Sequence, residues 1–388
     1  MTTIERLETR TQRVRLTRPW GPSHAALGEW VAEPVEASGP STGSGTQYPG
    51  AVDSVTVIAT RVTRSDGAQG FGFSWTPQIG ASAVQALLDD DIAPAAIGRS
   101  ATPGEAWDDI WAHLHEAGGG GITTIALAGL DLALWDAEAR AASASVSQII
   151  GRRRESARAY GSGVNLHYSQ DELVAQVRRW VDAGFDAVKI KVGKPDVAED
   201  LDRLAAVRDV LGPDRALMID ANQRWTLDRA TDAVNALAVH DLAWIEEPLR
   251  ADDLAGHAEL ARRIEVPIAV GENLHTRHRF EDFLHAGAAQ IVQPNVIRVG
   301  GITPFLRIAA AAADLGAAVH PHLLPELSGQ LALTLPGDPW TEDVADAGVA
   351  TLGARADPSP VTIADGRLTE NAHAGLGIRF TAFESDDS

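Results

Sequence analysis

Asp220, Glu246 and Glu272 each close a short apolar run, and successive acids are 26 residues apart. That interval holds one strand, one helix and their loops, which predicts three carboxylates at the ends of three neighbouring parallel strands. Carboxylates brought together repel unless a cation balances them, and an all-oxygen set suits a hard ion such as Mg²⁺. Singly, each acid reads as a helix cap or a solvated loop residue, but the equal spacing reverses that preference.

Just upstream, Lys189 and Lys191 are separated by one residue, and on a strand this spacing sends both to the same side. Two adjacent buried ammonium groups need balancing anions. Their mutual repulsion and a nearby metal favour a neutral amine, which could serve as a general base. Downstream stand Gln293 and Asn295, then His320 and His322 followed by Glu326, then Glu342 and Asp343. Parity alone does not say which histidine faces a shared site, and a helix cap or surface position suits either of the last two acids. Glu247 points away if Glu246 points in, and is assigned to structure.

These side chains need a scaffold that gathers strand ends. Strand patterns recur at 157–162, 187–192, 216–222, 242–248, 268–273, 291–296, 317–323 and 340–344. Helical segments at 171–183, 196–211, 227–240, 253–263 and 303–315 lie between them. Regular alternation of this kind predicts a closed parallel barrel, in which polar groups at the C-terminal strand ends share one mouth. Earlier in the chain, 52–62 and 67–74 predict a small antiparallel sheet, and 82–91, 102–115 and 122–142 predict helices, the last read as core packing. Residues 37–50, rich in Gly, Ser, Thr and Pro, form either a surface connection or a flap. After residue 350 the rhythm stops, and 361–380 predicts short strands and turns that pack on the N-terminal region.

With 33 basic and 53 acidic residues, the net charge of -20 argues against nucleic acid or an anionic membrane as partner. Cysteine is absent, which excludes disulfides, zinc–thiolate sites and thiol nucleophiles and fits a reducing compartment. The N-terminus lacks a signal-peptide pattern and no apolar run reaches membrane-spanning length, so a soluble cytoplasmic protein is expected.

Lys189, Lys191, Asp220, Glu246, Glu272, His322 and Glu342 at these intervals, with the segment Arg298 to Thr303, resemble the mandelate racemase subgroup of the enolase superfamily. The resemblance implies an α/β fold: a modified (β/α)7β TIM barrel with an α+β capping domain formed by the N-terminal region and the C-terminal tail. The expected units are 1–155 for the cap, 156–350 for the barrel and 351–388 for the returning segment. It further implies one Mg²⁺ per subunit on Asp220, Glu246 and Glu272, a small-molecule carboxylate substrate and a homo-oligomer. Lys191 would remove the proton α to the carboxylate, Lys189 would help hold the carboxylate, His322 would lie on the other face, and a protonated Glu342 would hydrogen-bond the enolate.

Asn295 departs from the subgroup, which usually has an aspartate paired with the histidine. A neutral amide orients the ring without adding basicity, so His322 is expected to be the weaker base. Dehydration of a sugar acid or related hydroxy acid is therefore favoured over the runner-up, racemisation or epimerisation of a 2-hydroxy or amino acid. A non-catalytic homologue that keeps the metal site is the alternative of another class, and a phosphate-binding barrel is weaker still. Substrate choice is expected to involve Trp20, His24, Tyr48, Asn165 and His167.

Overall fold

The computed structural model of the protein describes residues 1–20, 52–77, 79–345 and 357–386. The segment 37–50, His24, Tyr48 and the Trp20 side chain lie outside the described residues. Alternating apolar positions build a three-stranded antiparallel sheet from β1 (Ile4–Trp20), β2 (Val52–Arg64) and β3 (Gln69–Thr76). The long β1 was not predicted. Among its described side chains mainly Ile4, Leu7 and Val14 reach the core, so its apolar signal is sparse.

One face of this sheet meets a helical layer: α1 (Ala81–Ala86), a π-helical stretch (Leu87–Ile92), α2 (Ala93–Ala96), α3 (Pro103–His113), α4 (Ile122–Ala141) and α5 (Val146–Ile150). Ile58 and Val62 from the sheet join Val84, Leu88, Ile110, Leu127, Leu130 and Leu134 in one core. The α4 helix is buried almost all round because it packs between β3 and a barrel helix. It is more than core filling. Buried Asp136 accepts hydrogen bonds from Phe71 N at 2.8 Å, Leu376 N at 2.6 Å and Arg140 Nε at 2.6 Å, tying sheet, helix and C-terminal segment together.

The barrel alternates β4 (Ser156–Ser162), α6 (Gln170–Asp182), β5 (Ala187–Lys191), α7 (Val197–Leu211), β6 (Ala216–Asp220), α8 (Leu227–Leu237), β7 (Leu242–Glu246) and α9 (Leu254–Leu260). It continues through β8 (Ile268–Val270), α10 (Arg277–His285), β9 (Ile291–Val292), α11 (Ile302–Asp314), β10 (Ala318–Val319), a π turn (Pro325–Gly329), α12 (Gln330–Ala332) and β11 (Trp340–Val344). Among the described residues, parallel pairing runs from β10 through β9, β8, β7, β6 and β5 to β4, and β11 pairs with the other edge of β4. Side chains bridge β10 and β11: Trp340 N donates to His320 Nδ1 at 3.1 Å, and Leu323 N donates to Glu342 Oε2 at 3.1 Å. Tyr160, Met218, Trp244, Ala269 and Ile291 fill the interior below the mouth.

Local chemistry starts each barrel helix. Ser169, Asp196, Thr226, Asp253 and Thr276 cap α6 to α10 with their own side chains. The α10 helix is short and rich in Arg and His, with buried Phe280 and Phe283 as its anchors. By contrast α11 starts at Gly301, which offers no side chain. Asp131 of α4 takes that role from outside the barrel, its Oδ2 accepting from Thr303 N at 2.9 Å. A Cβ at Gly301 would lie 2.3 Å from Asp131 Oδ2, and the backbone there has a φ of 112°, so glycine suits both demands. Trp135 Nε1 donates to Thr303 Oγ1 and Trp107 Nε1 to Gly300 O, both at 3.0 Å. The Arg298 to Thr303 segment is thus gripped by the N-terminal helices.

The C-terminal hairpin, β12 (Val361–Ala364) and β13 (Arg367–Glu370), corrects one expectation. It pairs with β4 at the base of the barrel, and only afterwards does the chain reach the N-terminal sheet. There Phe380 meets Phe73 at 5.1 Å and Phe383 meets Phe71 at 6.0 Å between ring centres.

Candidate active site

Strand register assembles half of the site. Lys191 is the ladder partner of Asp220, and Asp220 is the partner of Glu246, so the three stand at one level across β5, β6 and β7. Lys191 Nζ lies 2.5 Å from Asp220 Oδ2, and Lys189 Nζ lies 2.6 Å from Glu246 Oε2 and 2.8 Å from Glu342 Oε1. All five side chains are buried. Two-residue spacing therefore put both lysines on the interior face, with Lys189 the deeper, 5.5 Å from the centre of the Tyr160 ring.

Glu272 comes from beyond the end of β8. Gly271, at φ 143°, turns the chain, and a Cβ there would lie 2.7 Å from the backbone of Gln293, so close approach to β9 requires glycine. Asn273 Nδ2 donates to Glu272 Oε1 and to both oxygens of Glu247, each at 2.9 Å. Glu247, at φ 40°, is buried beside the acids and also accepts from Gln223 Nε2 at 3.1 Å. Burial first, then Glu272 and Asp220, drive its pKa well up.

The histidines face the interior at different depths. His320 stacks on Trp244 with ring centres 5.3 Å apart, and burial lowers its pKa to about 4, so it is a neutral structural acceptor. His322 is in the mouth, with Nε2 2.8 Å from Glu272 Oε2 and 3.6 Å from Glu342 Oε2. On its other side Asn295 Nδ2 is 3.0 Å from Nδ1.

The chain's own charges pull against two of the expected protonation states. Burial opposes charge on both lysines, but the Glu246 and Glu342 carboxylates hold Lys189 well above its ordinary pKa and Asp220 holds Lys191 above its own. The paired anions thus favour the ammonium form of both and outweigh the repulsion of Lys189 on Lys191. Burial likewise works to protonate Glu342, but Lys189 and His322 pull its pKa down to about 2 and favour the carboxylate. For His322, burial opposes the imidazolium and the Glu272 and Glu342 carboxylates outweigh it, raising the pKa above its ordinary value. The weaker basicity expected from Asn295 is therefore opposed by those acids.

The donor set fits a hard cation. Glu246, Glu272 and His322 each offer an atom within 4.8 Å of the others, and Glu246 Oε1 is buried without a hydrogen-bond partner. Asp220 is outside that group; Lys191 engages its Oδ2, and Asn222 N donates to its Oδ1 at 2.7 Å. Three carboxylates from adjacent strand ends remain the oxygen-rich part of the mouth.

Lys191, Glu272, Asn295, His322 and Glu342 line one pocket. Trp75 and Pro77 reach it from the N-terminal sheet, and Arg298 enters from the loop after β9. Sequence reasoning missed these three as lining residues, although Arg298 stood inside a motif it singled out. It also missed Gln293 as a partner, whose Nε2 donates to Glu246 Oε2 at 2.8 Å. Asn165 is not a pocket residue: its Oδ1 accepts from Lys191 N at 2.9 Å and its Nδ2 donates to Gln176 at 3.0 Å. His167 is exposed, with its ring edge-on to Tyr168.

Comparison with known proteins agrees with this geometry. Residues 172–384 match the family described as Enolase C-terminal domain-like, and residues 45–151 match the N-terminal domain of mandelate racemase / muconate lactonizing enzyme. The 3,6-anhydro-alpha-L-galactonate cycloisomerase of Streptomyces coelicolor is 36% identical over 85% of this chain and 90% of its own. The L-talarate/galactarate dehydratase of Salmonella typhimurium is 36% identical over 74% of this chain and 73% of its own. Among solved structures, an L-talarate dehydratase from a Polaromonas species, complexed with Mg and L-glucarate, superposes with a TM-score of 0.87 at 31% identity, covering 100% of this chain and 97% of that one. With both halves matched and the barrel carrying its acids and lysines at the strand ends, the chain belongs to the mandelate racemase / muconate lactonizing enzyme family of the enolase superfamily.

Proposed function

We propose that this protein removes the proton α to the carboxylate of a sugar acid and eliminates the β-hydroxyl as water. The observation that carries the reading is a single pocket holding Lys191 from β5 and His322 from beyond β10, strands separated in the sheet by β6 to β9. Asp220, Glu246 and Glu272 would hold Mg²⁺. When bound, the ion would supply positive charge against the doubly charged enolate and take up carboxylate charge that now holds Lys191 as an ammonium.

The chain's own groups do the rest. Lys191, once neutral, takes the α-proton, and the C–H electron pair passes into the carboxylate as an ene-diolate. That pair then forms the Cα–Cβ double bond as the β C–O bond breaks. Hydroxide leaves hydrogen-bonded by His322, and the proton that makes it water balances the one Lys191 returns to solvent. Lys189 and Glu342 fix charge behind the reacting carboxylate, while Asn295 orients His322. The resulting enol becomes a 2-keto acid without any oxidant.

The Streptomyces cycloisomerase, similar over more of the chain than the dehydratase, favours one second reading. The same proton abstraction would then expel a ring oxygen in place of hydroxide, making the enzyme an isomerase. Screening aldonic, aldaric and anhydro sugar acids with Mg²⁺ for 2-keto acid formation separates the two. No turnover of any of them would sink both.

We also infer a cap of 1–155, a barrel of 156–350 and a returning segment of 351–388, assembled as a cytoplasmic homo-oligomer. No helix among the described residues is long and apolar enough to cross a membrane. Limited proteolysis and light scattering test the division and the assembly.

A further inference from the structure

Lys191 is the last residue of β5, and strand pairing holds only one edge of the backbone there. Val192 N donates to Asp220 O at 2.9 Å, so the next residue faces β6. The N–H and C=O of Lys191 therefore point the other way, toward β4. That strand does not meet them, because its pairing with β5 ends where Ser162 stands opposite Lys189. A buried peptide group without a partner is costly, and here side chains supply what the strand does not.

Asn165 Oδ1 accepts from Lys191 N at 2.9 Å, and Arg203 Nη1, from α7, donates to Lys191 O at 2.9 Å. Each of the two is itself fixed. Asn165 Nδ2 donates to Gln176 Oε1 at 3.0 Å, which sets the amide with its oxygen toward the lysine. Arg203 Nη1 also reaches Asp200 Oδ1 at 2.8 Å, and Nη2 donates to Asn165 O at 3.1 Å. Asp200 Oδ2 accepts in turn from Gly193 N at 2.7 Å and Lys194 N at 2.9 Å, just past the strand. All four side chains are buried and none lines the pocket that holds Lys191, so contact with substrate does not account for them.

We propose that Asn165 and Arg203, backed by Gln176 and Asp200, are positioning residues that replace the missing strand and fix the main chain from which Lys191 projects. A guanidinium suits the task, since its planar fork spans two carbonyls and a carboxylate at once. Misplacing a reacting group by about 1 Å costs on the order of 10²-fold in rate, so the clamp serves the chemical step and not binding. This inference rests on the proposed role of Lys191 as base, but one of its readouts concerns the backbone alone.

The chain has three lysines, Lys189, Lys191 and Lys194, so 15N-labelled lysine gives three backbone amide signals, with Lys191 assigned through Lys191→Met. In the native protein, hydrogen exchange at Lys191 should be as slow as at Lys189. In Asn165→Leu, which keeps the size and removes the acceptor, it should be at least ~100-fold faster, with Lys189 unchanged. On a sugar acid that is turned over, kcat should fall at least ~10-fold with KM within ~2-fold, and Asn165→Asp, which restores the acceptor, should recover most of the loss. Fast exchange at Lys191 in the native protein overturns the proposal, as does a raised KM at unchanged kcat, which would make Asn165 a substrate contact. Should Asn165→Leu fail to fold, Arg203→Lys keeps the charge beside Asp200, cannot span both carbonyls, and reads the same exchange and the same kcat. No turnover of any sugar acid would sink the proposed function, and the exchange rates would still decide the clamp.

Discussion

The lysine side and the histidine side of the mouth are built by different means. Lys191, Asp220 and Glu246 stand in register on regular neighbouring strands. Asn295 and His322 lie past β9 and β10, which are two residues each. A few backbone bonds carry on past them, His320 N to Val292 O at 3.0 Å and His322 N to Pro294 O at 3.3 Å, and a loop that Asp131, Trp135 and Trp107 hold from the N-terminal helices adds to these. Regular strand pairing thus fixes the groups proposed to generate an enolate, while sparser bonds hold those proposed to act on it.

The sharpest way to break this comparison is Lys191→Met. It should lower kcat/KM on any turned-over sugar acid by at least ~10³-fold and abolish α-deuterium exchange in D₂O, with the circular dichroism spectrum retained. Exchange persisting at the native rate would move the base to the histidine side. Next in size, Glu246→Gln should weaken Mg²⁺ binding by more than the ~10–100-fold that losing an outer partner costs, whereas His322→Asn should stay within that range. Calorimetric titration with Mg²⁺ reads both. Equal losses would mean that the ion belongs as much to the histidine as to the strand-end acids.

Asn295→Asp sharpens the contrast from the other direction. With a carboxylate beside Nδ1 the ring becomes the stronger base, so α-hydrogen exchange should appear from the face opposite Lys191, detectable as deuterium in product or recovered substrate of inverted configuration. An unchanged single stereochemical course would show that Asn295 does not limit the ring. The expected gain is smaller than the losses above because Lys191 still dominates proton removal.

The same division explains what the sequence reveals. Parity holds on a regular strand, so Lys189 and Lys191 were legible, and the spacing of 26 residues located Asp220, Glu246 and Glu272. Past β10 parity still sends both histidines inward, but it carries no information on depth. It could not separate His320, which fills the barrel against Trp244, from His322, which enters the pocket. The barrel strands were legible, yet most expected extents ran too long, because residues such as Asn222, Gln223 and Glu247 at positive φ take the chain off the ladder. Arg298, Trp75 and Pro77 meet only through folding, and no local pattern marks them as neighbours. Asp131 and Asp136 were hidden for another reason: inside an apolar helix they looked incidental, while their partners are Thr303, Phe71 and Leu376.

The smallest expected effect concerns how the histidine side is tethered. Burial raises the pKa of Asp131 to about 7, against an ordinary value of 3.8. The folded state therefore binds this proton more tightly than the unfolded chain does. The stability it contributes is complete below the ordinary value and is lost as pH climbs to about 7, on the order of 2 kcal/mol allowing for relaxation. Asp131→Asn keeps an oxygen for Thr303 N–H but does not titrate. In EDTA, urea midpoints at mildly acidic and mildly alkaline pH should differ less for the variant than for the native protein. Equal differences in the two proteins would place the titrating charge elsewhere.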